Sequence, residues 1–284
     1  MRLAQLPFWP YASAVAVHIV LLVFVALILP RTAVLWDPAK PTSVDKPQHP
    51  FLDALTASPA STVAWMCIGV LFVQVWWSGW VRAWYITGIV QSGGGGQEDE
   101  RMHRVRLQKQ RFKHLKGACI ATLFASFAFH AVLVLLGAPL TNCSTPFMSG
   151  PDCPSDNLHV RTYLLALLLS LLSVPTPAYT IGISQSIVTR LFGELSIRNS
   201  LERAFVYPVI GTLVGSWIGA VPIALDWDRP WQAWPLTPAY GAFVGYSLAS
   251  LVALAVTATH LLAEEHLRGQ IVTKTKTQKK PKSS

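Results

Sequence analysis

Charge is scarce in this chain. Asp, Glu, Lys and Arg make up only 13% of its 284 residues, about half the share a soluble domain uses to cover its surface. That scarcity excludes a water-soluble globule. With 52% hydrophobic residues and a mean hydropathy of +0.40, an integral membrane protein is what remains. The parts of familiar catalytic sites are missing too. No H-x-x-H or H-E-x-x-H run, clustered carboxylate set, G-x-S-x-G nucleophile turn or phosphate-binding glycine loop occurs. The acids expected outside the cytosol (Asp37, Asp45, Asp53, Asp152, Asp156, Asp226, Asp228) are spread with His49 and His159 over three short loops. They offer no converging metal set, so neither a catalytic residue nor a metal site is assigned.

What the chain has in quantity is long apolar runs. Six stretches approach or exceed the roughly 20 residues a helix needs to cross a hydrocarbon core: 11–30, 62–84, 118–136, 160–182, 204–225 and 239–262. They lack the in/out alternation of a barrel strand. The expected fold is therefore all-α, a polytopic bundle of six transmembrane helices occupying residues 1–262, with a basic tail at 263–284. The run after Tyr11 is longer than a signal-peptide core and ends on Pro30 and Arg31 without a small-residue cleavage site, which reads as a retained anchor, with a cleaved leader as the alternative.

With both termini in the cytosol, 17 of the 23 Lys and Arg fall on the cytosolic side and five on the other, with Arg82 inside the second span. This asymmetry obeys the positive-inside rule, so the net charge of +9 reflects topology. The basic run 101–116 reads as a loop touching anionic headgroups, and no nucleic acid is implied. QSGGGGQEDE (91–100) is a flexible linker by composition. The proline-rich loop 31–61 is expected to be extended, and 186–204 to form a short amphipathic helix at the membrane surface.

The same orientation places 137–159 in an oxidising lumen. Cys143 and Cys153 form a candidate disulfide there, and Asn142-Cys143-Ser144 fits a glycosylation acceptor at Asn142. Cys67 and Cys119 fall in spans and read as packing residues. His18, Gln74 and His130 are expected to hydrogen-bond neighbouring helices, and Arg82 to snorkel towards the headgroups. Lys280 and Lys282 have the spacing of a dilysine retrieval signal, which favours the endoplasmic reticulum membrane.

Two features stand apart. Gly211, Gly215 and Gly219, and again Gly241 and Gly245, recur at four-residue spacing, which lets another helix backbone approach. That helix belongs either to this bundle or to another protein. Between them lies LDWDRPWQAWPLTP (225–238), dense in tryptophan and proline. Trp227, Trp231 and Trp234 suit a membrane interface, and Pro222, Pro230, Pro235 and Pro238 stiffen a turn. A hairpin tip accounts for these residues, but less well for Asp226, Asp228 and Arg229.

The stretch GSWIGAVPIALDWDRPWQAWPLTPAYGAFVGY (215–246) closely resembles the C-terminal signature of the PIG-F family. The matching positions are Gly215, Trp217, Gly219, Ala220, Pro222, Ile223, Leu225, Asp226, Trp227, Asp228, Arg229, Pro230, Trp231, Gln232, Trp234 and Pro235. The resemblance implies a non-catalytic endoplasmic reticulum subunit that stabilises the ethanolamine phosphate transferases of GPI-anchor assembly. It implies PIG-O-like and PIG-G-like catalytic partners, contact with membrane lipids including the GPI precursor, zinc on the partner and no cofactor on this chain. Gly211, Gly215, Trp217, Gly219, Asp226, Trp227, Asp228, Arg229, Trp231, Trp234, Gly241 and Gly245 are then candidates for partner or lipid binding. A lipid-handling enzyme and a lipid transporter or scramblase are the alternative readings.

Overall fold

The computed structural model describes residues 7–31, 49–92, 97–140, 158–182, 185–197, 199–225, 227 and 229–278. Among them helices α1 (Phe8–Leu27), α2 (Pro50–Thr56), α3 (Pro59–Ser92), α4 (Gln97–Lys109) and α5 (Arg111–Leu135) come first. They are followed by α6 (Leu158–Ser173), α7 (Pro175–Ile181), α8 (Gln185–Val188), α9 (Ser200–Ala220) and α10 (Leu236–Gln278). No strand occurs among the described residues. Six helical segments are long and apolar enough to cross a membrane: Phe8–Arg31, Pro59–Val90, Arg111–Leu135, Leu158–Ile181, Ser200–Ala224 and Leu236–Ile271. The expected spans are all present, most of them extended by several residues.

Local chemistry sets where these helices stop or bend. Gly137, at φ +93°, closes α5: its amide and that of Ala138 donate to Val134 O and Leu133 O, satisfying carbonyls the helix end leaves open. Pro175 cannot continue α6, so the fourth span bends at Val174 and resumes as α7. Pro50 sits at the first position of α2, where it costs no helical hydrogen bond, and His49 Nδ1 accepts from the Phe51 amide at 3.1 Å. The loop 31–61, expected to be extended, therefore contains a helix at 50–56. Similarly, residues 97–100 of the expected linker open α4. The expected amphipathic helix at 186–204 is instead one α-turn, a π-turn at Thr189–Gly193, a turned connection through Leu195 at φ +50° and the first residues of α9. Arg190 there pairs with Glu202 at 2.7 Å, and that hydrogen bond holds the Arg190 guanidinium above its ordinary pKa.

The core lies among α1, α3, α6 and α10, where Leu22, Val63, Met66, Val70, Leu165, Leu168, Leu172 and Ala242 are buried. α5 packs on α6 and α7 and leaves Phe124 and Phe127 facing outward. Cys67 is buried against the Leu164 carbonyl, as expected of a packing residue, whereas Cys119 is exposed.

Three polar side chains, Arg82, His18 and His130, depart from expectation. Arg82 does not snorkel but is buried, donating to Tyr179 O at 2.6 Å and Leu107 O at 3.3 Å. Those carbonyls belong to the last turns of α7 and α4, where a helix leaves its acceptors unpaired and its dipole favours a cation. His18 stacks on Trp77, with centroids 4.6 Å apart and planes at 14°, and its Nε2 lacks a hydrogen-bond partner. Gln74 does bond across helices, accepting from Thr176 Oγ1 at 3.0 Å. His130 meets the ring of Tyr163 edge-on, its Nδ1 without a hydrogen-bond partner.

Candidate functional site

Among the described residues the most extensive inter-helix contact is between α9 and α10, and glycine makes it. A Cβ on Gly211 would strike the Gly245 carbonyl, and one on Gly215 would strike the Gly241 carbonyl and come within 2.8 Å of Gly245 Cα. Gly219 faces Thr237 and Pro238 in the same way. Only glycine lets two helix backbones approach this closely. Of the two readings open in the sequence, the geometry supports internal packing. Gly211, Gly215 and Gly219 of α9 lie against Gly241, Gly245 and the start of α10 within the chain.

The hairpin tip that joins these helices is tied by one side chain. Beyond α9 the backbone tightens into a 3₁₀ turn at Val221–Ala224, and a second one follows at Pro230–Gln232. Gln232 Nε2 donates to Pro222 O and to Leu225 O, each at 2.7 Å, while its Oε1 accepts from the Arg229 amide at 2.7 Å. A primary amide has two donors and an acceptor on one rigid plane, which fits this three-way tie. The Trp234-Pro235 peptide is cis, and Trp234 Nε1 donates to Thr162 Oγ1 at 2.9 Å. Thr162 donates in turn to Pro139 O at 2.9 Å. The tip is thereby fastened to α6 and to the end of α5. Replacing Trp234 by Phe keeps an aromatic ring and loses the pyrrole half of the indole with its one donor. We expect a loss of about 1 kcal/mol, read as a lower melting temperature of the purified chain.

The other candidates divide by exposure. Trp217 and Trp227 are largely exposed, at 72% and 55%. The Trp227 ring lies 5.8 Å from that of Trp231, which is half-buried and walls a cavity beneath the tip. Arg229 is exposed, with its backbone held by Gln232. Asp226, Asp228, Asn142, Cys143, Cys153, Lys280 and Lys282 lie outside the described residues. Among the described residues no group of His, Cys, Asp and Glu converges as a metal site. The structure adds two residues to the site. Gln232 was legible as part of the signature but not as its tie, and Thr162 carried no signal, since its partners lie far away in sequence.

Residues 152–254, from the approach to α6 through the tip into the middle of α10, match the model of the GPI biosynthesis protein family Pig-F. Among curated proteins, the chain is similar to the human GPI ethanolamine phosphate transferase, stabilizing subunit. That match is 34% identical over 134 residues, 47% of this chain and 54% of the relative. It is similar also to glycosylphosphatidylinositol anchor biosynthesis protein 11 of Pyricularia oryzae, 37% identical over 131 residues, 46% of this chain and 42% of the relative. The Yarrowia lipolytica protein of the same name is 30% identical over 148 residues, 52% of this chain and 58% of the relative. The chain thus spans about half the length of the curated relatives it matches. No solved structure matches it.

Proposed function

We propose that this chain, whose residues 152–254 match the Pig-F family model, is a non-catalytic stabilising subunit of a GPI ethanolamine phosphate transferase in the endoplasmic reticulum membrane. The observations that carry the reading are the family-model match over residues 152–254, which take in α9, the tip and the first half of α10, and the similarity over 47% of the chain to named stabilising subunits. Its catalytic partners are PIG-O-like and PIG-G-like chains, with zinc on the partner and none on this chain. Both termini face the cytosol, and the 225–235 tip faces the lumen. Because the glycines of α9 are consumed internally, the docking face is its outward stripe. Ile210, Val214, Trp217 and Val221 recur there at helical spacing and are exposed. Tryptophan at the end of such a stripe suits an interface anchor.

The test is a mild-detergent pull-down of the tagged chain, with transfer of phosphoethanolamine to a GPI precursor assayed in the bound fraction. The expected result is a transferase chain that carries all the activity. Trp217→Ala should cut its recovery about tenfold, as loss of a tryptophan hot spot does, and leave the melting temperature of the isolated chain unchanged. Transfer by the isolated chain would overturn the reading in favour of an enzyme.

A further inference from the structure

Beside the tip, α1, α2, α9 and α10 leave a cavity of about 460 Å³ walled by Leu27, Leu52, Leu55, Trp231, Leu236 and Tyr240. A second cavity of about 230 Å³ shares Leu27 and Tyr240 and continues between α1 and α10 as far as Leu248. From Leu236 to Leu248 α10 rises about 18 Å, close to the roughly 15 Å of one leaflet's hydrocarbon. The walls are almost wholly apolar. A transmembrane helix does not fit, because 18 Å of a helix about 10 Å across fills roughly 1,400 Å³. A single acyl chain is narrow enough.

The mouth carries a charge that is not fully used. Arg31 lies one turn beyond Leu27, and its guanidinium carbon stands 4.4 Å over the ring of Phe51, next to Leu52 on α2. Arg31 Nε is buried without a hydrogen-bond partner. A guanidinium with an unpaired Nε donor near the end of an apolar groove is matched by a phosphate bearing a hydrocarbon chain.

We propose that the groove between α1 and α10 holds one acyl chain of a diacyl glycerophospholipid whose phosphate sits on Arg31. The site belongs to this chain alone and stands whether or not the stabilising-subunit reading does.

The full-length chain is reconstituted in phosphatidylcholine nanodiscs containing phosphatidylglycerol with a diazirine in one acyl chain, and adducts are mapped after irradiation. Adducts should concentrate on residues 52–55 and 240–248, above those on Phe124 and Phe127 of α5, which report ordinary surrounding lipid. Arg31→Gln, which removes the charge, and Leu52→Trp, which fills the mouth, should each lower the groove adducts about tenfold and leave those on α5 unchanged. Equal labelling of groove and α5 in the wild-type chain would overturn the proposal and mean surrounding lipid only. Groove adducts insensitive to both variants would overturn it as well, as would a photocrosslinker at Leu52 that captures another polypeptide in cells instead of lipid.

Discussion

Replacing Gly215 by leucine should destabilise the folded chain severely. A first side-chain carbon at this position already meets the Gly241 carbonyl, and Gly245 Cα lies 2.8 Å away. Both obstacles are backbone, which cannot rotate aside as a side chain can. The remaining three carbons of leucine would have to push α9 off α10, where the two backbones meet. We expect a loss of about 3 kcal/mol, and roughly half of that for Gly215→Ala. Heating followed by gel filtration of the isolated chain reads this directly. Gly79→Ala and Gly269→Ala are the controls, since a Cβ there meets nothing within 4 Å. They should be neutral or stabilise by about 0.5 kcal/mol, as alanine loses less freedom than glycine in a helix. A Gly215→Leu chain that melts like the wild type and loses only its partner would restore the reading in which these glycines dock another protein.

The second large effect is expected at Gln232. Alanine there removes three hydrogen bonds at once, two donated to Pro222 O and Leu225 O and one accepted from the Arg229 amide. At about 1 kcal/mol each in a partly solvated turn, the tip should loosen locally by about 2–3 kcal/mol while the helices stay paired through their glycines. The Arg229 amide should then exchange its hydrogen about 30- to 140-fold faster. Exchange in the interior of α9 and α10 should not change. Gln232→Glu keeps an acceptor for the Arg229 amide but loses both donors, so it should behave nearly as badly as alanine. Exchange at Arg229 that matches the wild type in both variants would show that the prolines alone hold the turn. If the tip braces a partner, recovery of that partner should fall in both variants without loss of the folded chain.

Much of this was legible beforehand, for a definite reason. A membrane helix must be apolar along its whole length, so the positions of six spans are written in local composition, and the structure has all of them. Pro175 and Gly137 are local signals that the reading of 160–182 as one span did not use, and each ends or bends a helix where it stands. The signature at 215–246 was likewise legible, because a run of tryptophans, prolines and acids between two apolar stretches is rare. Legibility failed where a residue's role depends on what reaches it from elsewhere. Arg82 looked like a snorkelling residue because its own helix offers it only a route to the headgroups. It turned inward because the bent fourth span and α4 present unpaired carbonyls beside it. Residues 50–56 looked extended from their prolines, yet Pro50 opens a helix there.

The sequence by itself determined that this is an all-helical chain with six membrane-length segments, and which short stretch carries its family likeness. Hydropathy and backbone stereochemistry act within a few residues, so they need no partner to be read. Only the tertiary structure decided that the glycine edges of α9 and α10 face one another, that Gln232 and Thr162 hold the tip, and that a groove opens between α1 and α10. Four-residue glycine spacing shows that a helix can be approached closely. Which helix approaches is set by the packing of the whole bundle, and no local stretch of sequence carries that information.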